Sequence, residues 1–294
     1  MMRRIGLFLG TNLAILVVLG VVMNLLEPWL RAQGIDYNFA YTLVFAFLFG
    51  MGGAFVSLLL SKKIALMTTG AKVIESPSGD IERWLVSTVE RQAREAGIGM
   101  PDVAIFEAAE PNAFATGASR NKALVAVSTG LLRTMRPNEV EAVLAHEVSH
   151  VANGDMITMT LLQGVLNTFV LLLSRVLGQL IDRVVFRSDR GYGPGYFISV
   201  IVLQIVLGIL ASMVVMAFSR WREFRADAGG ARLSGRQNMI AALERLRQSQ
   251  QPGQLPEAVE AFGVRGRTGQ GFKRLFMSHP PLEERIRALH DGAR

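Results

Sequence analysis

The stretch Glu141–Asp155, EAVLAHEVSHVANGD, decides how the rest of the chain is read. It contains His146-Glu147-Val148-Ser149-His150, an HExxH pattern. On an α-helix, residues four apart lie one turn apart on the same face, so His146 and His150 project together. Two imidazoles in that relation can share one Zn²⁺. Glu147 stands between them in angle, where its carboxylate can take a proton from water at the metal. The flanks suit a helix. Pro137 is tolerated in a first turn, Glu139 and Glu141 complement the positive end of the dipole, and Val140, Val143, Leu144 and Val148 form an apolar stripe. The chain has only four histidines, and two of them stand at this spacing.

Outward from this helix, the chain is dominated by long apolar runs. Half of its 294 residues are hydrophobic and 19% are charged, and the mean hydropathy of +0.32 is high for a soluble globular protein. Ile5–Leu26 and Phe39–Leu60 are each 22 residues without a charge, long enough to span a bilayer core. The first does not end like a signal peptide, because Met23-Asn24-Leu25-Leu26-Glu27-Pro28-Trp29 lacks a small-residue cleavage site; an uncleaved anchor is expected. Arg3 and Arg4 before the first run, and Lys62 and Lys63 after the second, place both outer ends in the cytosol. Ile157–Ile181 is apolar except for Arg175, whose charge costs a few kcal/mol on insertion scales unless it snorkels or faces protein. Phe197–Phe218 is a clean fourth run, although the loop before it carries Arg183, Arg187 and Arg190, against the usual bias for an outside loop. This second pair either crosses against that bias or forms a hairpin that does not fully cross.

The net charge of +7 comes with no basic stripe interleaved with aromatics, so no nucleic-acid partner is expected. Lys and Arg cluster beside the apolar runs instead, as at an anionic membrane face. Without Cys, neither a disulfide nor a thiolate metal ligand is available. Between the second and third runs the chain reads as soluble. A helix is expected over Ile81–Ala96 with Gly97 as its stop, and strands over Val103–Glu107 and Leu124–Val127. Between those strands, the small, alternating segment Asn112-Ala113-Phe114-Ala115-Thr116 reads either as an ordinary hairpin or as an edge strand open to pairing with an extended peptide. After the fourth run the pattern stays helical to about Arg247. Gln248–Gly271 reads as a loop with a short helical piece, and Ser278-His279-Pro280-Pro281 precedes a last helix, Leu282–His290.

A catalytic zinc site commonly has three protein ligands and keeps one position open. Glu223 is the best third candidate, because its helix should continue rigidly from the fourth run. Asp227, one turn later, is suited to accept a hydrogen bond from a ligand imidazole. Taken alone, a Glu beside a membrane run is more often an interfacial ion-pair partner, here of Arg220 or Arg222; the His pair is what favours a ligand role.

HEVSH just before a transmembrane pair, SRWREFRAD after it, and a C-terminal SHPPLEERI together resemble the bacterial heat-shock membrane proteases. More broadly, they resemble the family that includes the CAAX prenyl proteases. The resemblance covers almost the whole chain. It implies an α-helical integral membrane protein with about four transmembrane helices and a mixed α+β, zincin-like protease domain. Its parts would be a transmembrane pair (1–63), a protease segment with the HExxH helix (64–156), a second transmembrane or hairpin pair (157–218) and a protease segment with the third ligand (219–294). It implies one zinc per chain held by His146, His150 and Glu223, with Glu147 as general base and Asp227 at the family's second acidic position. It further implies His279 and Arg285 at the substrate or oxyanion, and Asn112–Thr116 as the strand beside the substrate. The expected function is an endopeptidase of the bacterial inner membrane, facing the cytosol and cleaving misfolded or damaged membrane proteins. The alternatives are a prenyl-protein protease, or a membrane scaffold with an inactive zinc site. Too few polar residues lie at mid-bilayer for a transporter.

Overall fold

The computed structural model describes residues 38–188, 192–249 and 277–292, with isolated helical positions between 17 and 32. Of the first apolar run, Val17, Gly20, Val21, Asn24 and Leu25 are described, all helical; the rest of that expected span lies outside the described residues. The same holds for almost all of the expected loop Gln248–Gly271. The contacts divide the chain into two compact units, residues 57–159 with 216–294, and residues 1–56 with 160–215.

The first of these units is built on a four-stranded sheet of β1 (Lys72–Val73), β2 (Asp102–Phe106), β3 (Ala113–Thr116) and β4 (Leu124–Ser128). The spatial order is β1-β2-β4-β3. β2 and β4 are parallel, while β1 and β3 run antiparallel to their neighbours, with Phe114 opposite Ala126 and Ala115 opposite Val125. β4 is buried along its whole length. Its alternation divides it between two clusters: Val125 and Val127 join Leu85, Val89, Leu144, Val148, Leu243 and Ile286, while Leu124 and Ala126 join Ala104 and Phe106.

The helices of this unit follow from local chemistry. α1 (Asp80–Glu95) has Asp80 and Glu82 in its first turn and buries Leu85, Thr88, Val89, Gln92 and Ala93 on one stripe. Gly97, at φ +66°, ends it in the left-handed conformation. A short helix α2 (Thr129–Thr134) follows β4. α3 (Pro137–Asn153) carries the HExxH residues; Pro137 opens it and the Arg136 N–H donates to Glu139 Oε2 at 2.8 Å. Gln92 Nε2 donates to the Glu141 carbonyl at 2.9 Å, which fixes α3 against α1.

α3 does not run on into the third apolar run, although HEVSH stands directly before it in the sequence. Gly154 adopts φ +69° and closes the helix, and α4 (Asp155–Val184) starts anew at the next residue. The fourth run does continue without a break: α5 (Pro194–Ser234) is a single 41-residue helix that carries Glu223 and Asp227. Gly235, at φ +91°, turns the chain into α6 (Arg236–Ser249), so the helical stretch expected to reach Arg247 is two helices. The last helix, α7, spans Leu282–His290 as expected.

In the other unit, helical segments cross closely at small residues. A Cβ on Gly50 would lie 2.5 Å from Thr168, one on Gly164 2.7 Å from Met51, and one on Gly178 2.6 Å from Val200. Arg175 has a partner here: its guanidinium lies 4.4 Å above the Phe45 ring and donates to the Leu171 carbonyl at 3.1 Å. Phe39–Phe47 is α-helical, Leu48–Gly52 loosens into a π-turn, and Gly53–Thr69 resumes the α-helix. Among the described residues, three helices are long and apolar enough to cross a membrane: 40–69, 155–184 and 194–234.

Candidate metal centre

Three side chains from two helices meet in a buried cluster. His146 Nε2 and His150 Nε2 stand 3.1 Å apart on α3. Glu223 reaches them from α5, with Oε2 3.5 Å from His146 Nε2 and Oε1 3.3 Å from His150 Nε2. The corners of a tetrahedral zinc site with bonds of ~2.0–2.1 Å lie ~3.3–3.4 Å apart, so these donors already have the spacing of such a set. Glu223 is fully buried, and its Oε1 accepts no hydrogen bond. An uncompensated buried carboxylate oxygen is costly, and a cation bound between the three side chains satisfies it. The donor set therefore fits a metal ion.

Backbone packing makes this meeting possible. Glu223, Asp227 and Gly230 share one face of α5. A Cβ on Gly229 would lie 2.5 Å from Ser149 Oγ, and one on Gly230 3.1 Å from the His146 backbone nitrogen. The two glycines let α5 approach α3 at the turns that bear the imidazoles.

The far nitrogen of each ring is held by a carboxylate. Asp227 Oδ1 is 2.9 Å from His146 Nδ1, and Asp155 Oδ2 is 2.7 Å from His150 Nδ1. Each Nδ1 thus donates a proton outward and each Nε2 is left for the metal side. Arg285 Nη2 also approaches His146 Nδ1, but at 3.5 Å, and a guanidinium cannot accept; Asp227 is the partner. Asp155 was not among the residues read from the sequence. Its signal was present in the quoted stretch: a glycine that ends the HExxH helix can turn the acid after it back toward His150.

Arg285 is buried and forked onto Asp227, with Nε to Oδ2 at 2.8 Å and Nη2 to Oδ1 at 2.6 Å; its Nη1 is 3.6 Å from Glu223 Oε2. His279 is exposed, yet its Nδ1 lies 2.7 Å from Glu223 Oε2. Glu147 is half-buried, close enough to His150 and Arg285 to act on their charge. β3 is an outer strand of the sheet and packs against α3. Asn112 just before it is tied to Ser128, whose Oγ accepts from the Asn112 N–H at 2.9 Å and whose N–H donates to the Asn112 carbonyl at 2.8 Å.

The charges are mutually supporting. Burial alone would lower the pKa of His146, but hydrogen bonds to Asp227 and Glu223 outweigh it and push the value up to about 9. Burial likewise opposes the charge on His150, and Asp155 and Glu223 raise its pKa. Burial would raise Asp227, yet Arg285 and His146 bring it down to about 2. Glu223 is opposed by burial in the same way, and His146, His150 and His279 hold it far below the carboxylate range. Without an ion, protons on the imidazoles balance the buried carboxylates.

An HExxH helix whose histidines meet a carboxylate from a second helix, in a protein with bilayer-length apolar helices, defines the class of membrane metallopeptidases. The chain belongs to peptidase family M48, whose model matches residues 80–293. It is 60% identical to the Protease HtpX of Thioalkalivibrio sulfidiphilus over 290 residues, covering 98% of both chains. It is also 60% identical to the Protease HtpX of Nitrosococcus oceani over 292 residues, covering 98% of this chain and 99% of the other. Among solved structures, the crystal structure of S. mikatae Ste24p aligns with a TM-score of 0.60 at 18% identity. That alignment covers 96% of this chain and 66% of the longer one; at this identity the likeness is one of fold. The protein is thus a bacterial membrane protease of metallopeptidase type, acting on polypeptide substrates.

Proposed function

We propose that the chain is a zinc endopeptidase of the bacterial inner membrane that cleaves misfolded or damaged membrane proteins from the cytosolic side. The observation that carries this reading is the meeting of His146, His150 and Glu223, three donors of types that zinc accepts, at 3.1–3.5 Å from one another. These three residues would hold the ion. When bound there, zinc lowers the pKa of a coordinated water and polarises a carbonyl.

The chain's own groups supply the rest. Glu147, beside the two ligands on α3, accepts the proton of the attacking water and returns it to the leaving amine. Asp155 and Asp227 keep both imidazoles in the tautomer that presents Nε2. We assign Arg285 a positioning role, because its fork is spent on Asp227. His279, exposed beside Glu223, is the better candidate to donate to the substrate carbonyl oxygen. The outer edge of β3 pairs with an extended substrate, so backbone hydrogen bonds give affinity and side-chain selectivity is broad. That suits unfolded targets. Lys62 and Lys63, directly after the second apolar run, support a cytosolic active site.

The test is cleavage of an unfolded, casein-like substrate by the purified full chain. Wild type should cleave, a chelator should abolish cleavage, and zinc should restore it. Glu147→Gln should be inactive while still holding metal. Chelator-resistant turnover, or turnover by Glu147→Gln, overturns the assignment.

A further inference from the structure

The face of α5 opposite Glu223 and Asp227 lines a different feature. Arg225, Ala228 and Arg232 recur at i, i+3 and i+7, one stripe of the helix. With Ala231, Arg236 and Leu289 they line a cavity of about 410 Å³, which Asn153 and Gly292 complete. Three arginines thus contribute to the lining of one cavity, and among the described residues no carboxylate does. Like charges that share a lining repel one another, and a bound anion relieves that repulsion. Ala228, Ala231 and Leu289 add apolar surface to the same lining. Arginine is the side chain best suited to a phosphate, because its planar fork matches two phosphate oxygens.

The stripe continues toward the membrane. The Arg225 guanidinium lies 5.0 Å over the Trp221 ring, and the Trp221 and Phe218 rings are 5.6 Å apart. Phe218 closes the uncharged run, and Trp221 is exposed, as residues of an interfacial aromatic belt are. Arg225 follows Phe218 by seven residues on one unbroken helix, a rise of ~10 Å, just beyond a headgroup layer ~5–8 Å deep. A long arginine side chain reaches back over such a distance.

We propose that the cavity bounded by Arg225, Arg232 and Arg236 is a binding site for a phosphate-bearing anion, supplied by an anionic phospholipid headgroup or by a soluble phosphate compound. It is separate from the metal cluster and does not depend on the peptidase reading.

The test uses the full chain in nanodiscs of pure phosphatidylcholine, in discs containing phosphatidylglycerol, and in phosphatidylcholine discs with added inorganic phosphate. The readouts are the thermal midpoint and the lipid retained after extraction, measured by native mass spectrometry. The wild type should gain several degrees and retain phosphatidylglycerol, or gain the shift with inorganic phosphate; which arm responds identifies the source. Arg232→Gln/Arg236→Gln should lose the response at least tenfold in ligand concentration. Arg232→Lys/Arg236→Lys should recover part of it. An unchanged midpoint of the Gln variant in phosphatidylcholine discs shows that it folds. If that midpoint falls, Arg225→Gln decides by the same response. No response in either arm, or a response that the Gln substitutions leave intact, overturns the proposal.

Discussion

At the scale of single residues, the centre is a competition between protons and an ion for the same atoms. In the metal-free protein the His146 pKa is raised from 6.5 to about 9, so its favourable contribution to folding is fully present below about 6.5 and is lost as pH rises through about 9. The proton that provides it must leave before the nitrogen can serve as a ligand. Metal affinity should therefore rise with pH up to about 9, by about tenfold per unit for each proton released. Competition with a chelating dye at several pH values reads this directly; a flat profile contradicts it. Asp155 gives a second prediction. Asp155→Asn keeps the size of the group but weakens its hold on the His150 Nδ1–H, and should cost about 10–100-fold in metal affinity with the fold intact. A variant with unchanged affinity shows the contact to be incidental.

Among elements, the decisive one is the approach of α5 to α3. Gly229 and Gly230 permit it, and a methyl at Gly229 would lie 2.5 Å from Ser149 Oγ and 2.8 Å from its Cβ. Gly229→Ala should cost about 1–3 kcal/mol of stability and lower metal affinity as well, because Glu223 is displaced with its helix. Gly208→Ala on the same helix, where nothing lies within 4 Å, is the control and should be neutral in both measurements.

Elements also show what could be read from residues alone. The pairing of His146 with His150 is a property of helix period, so a five-residue pattern carries it. Glu223 lies far along the chain, yet it was legible because the intervening apolar runs must leave the soluble segment and return. Asp155 was not legible, since its approach depends on the left-handed turn at Gly154. Strand existence was visible in Val103–Glu107 and Leu124–Val127, but not strand order: β4 inserts between β2 and β3, a long-range pairing that no local pattern encodes. The break at Gly235 was missed because helical periodicity resumes on both sides of it. Arg175 looked costly in the sequence because its partners, Phe45 and the Leu171 carbonyl, are set by tertiary packing and helix geometry.

For the whole molecule, one chain combines bilayer-length apolar helices with a charged, buried centre, and α5 belongs to both. It is apolar from Phe197 to Phe218 and carries Glu223 one turn and a residue later, without a break. The central claim is that His146, His150 and Glu223 converge on one ion. Its most direct test is the zinc content of purified wild type, Glu147→Gln and Glu223→Ala, dialysed side by side and measured by mass spectrometry. The account predicts about one zinc per chain for wild type and for Glu147→Gln, and well under half of that for Glu223→Ala. A Glu223→Ala protein that keeps its full zinc complement would contradict it.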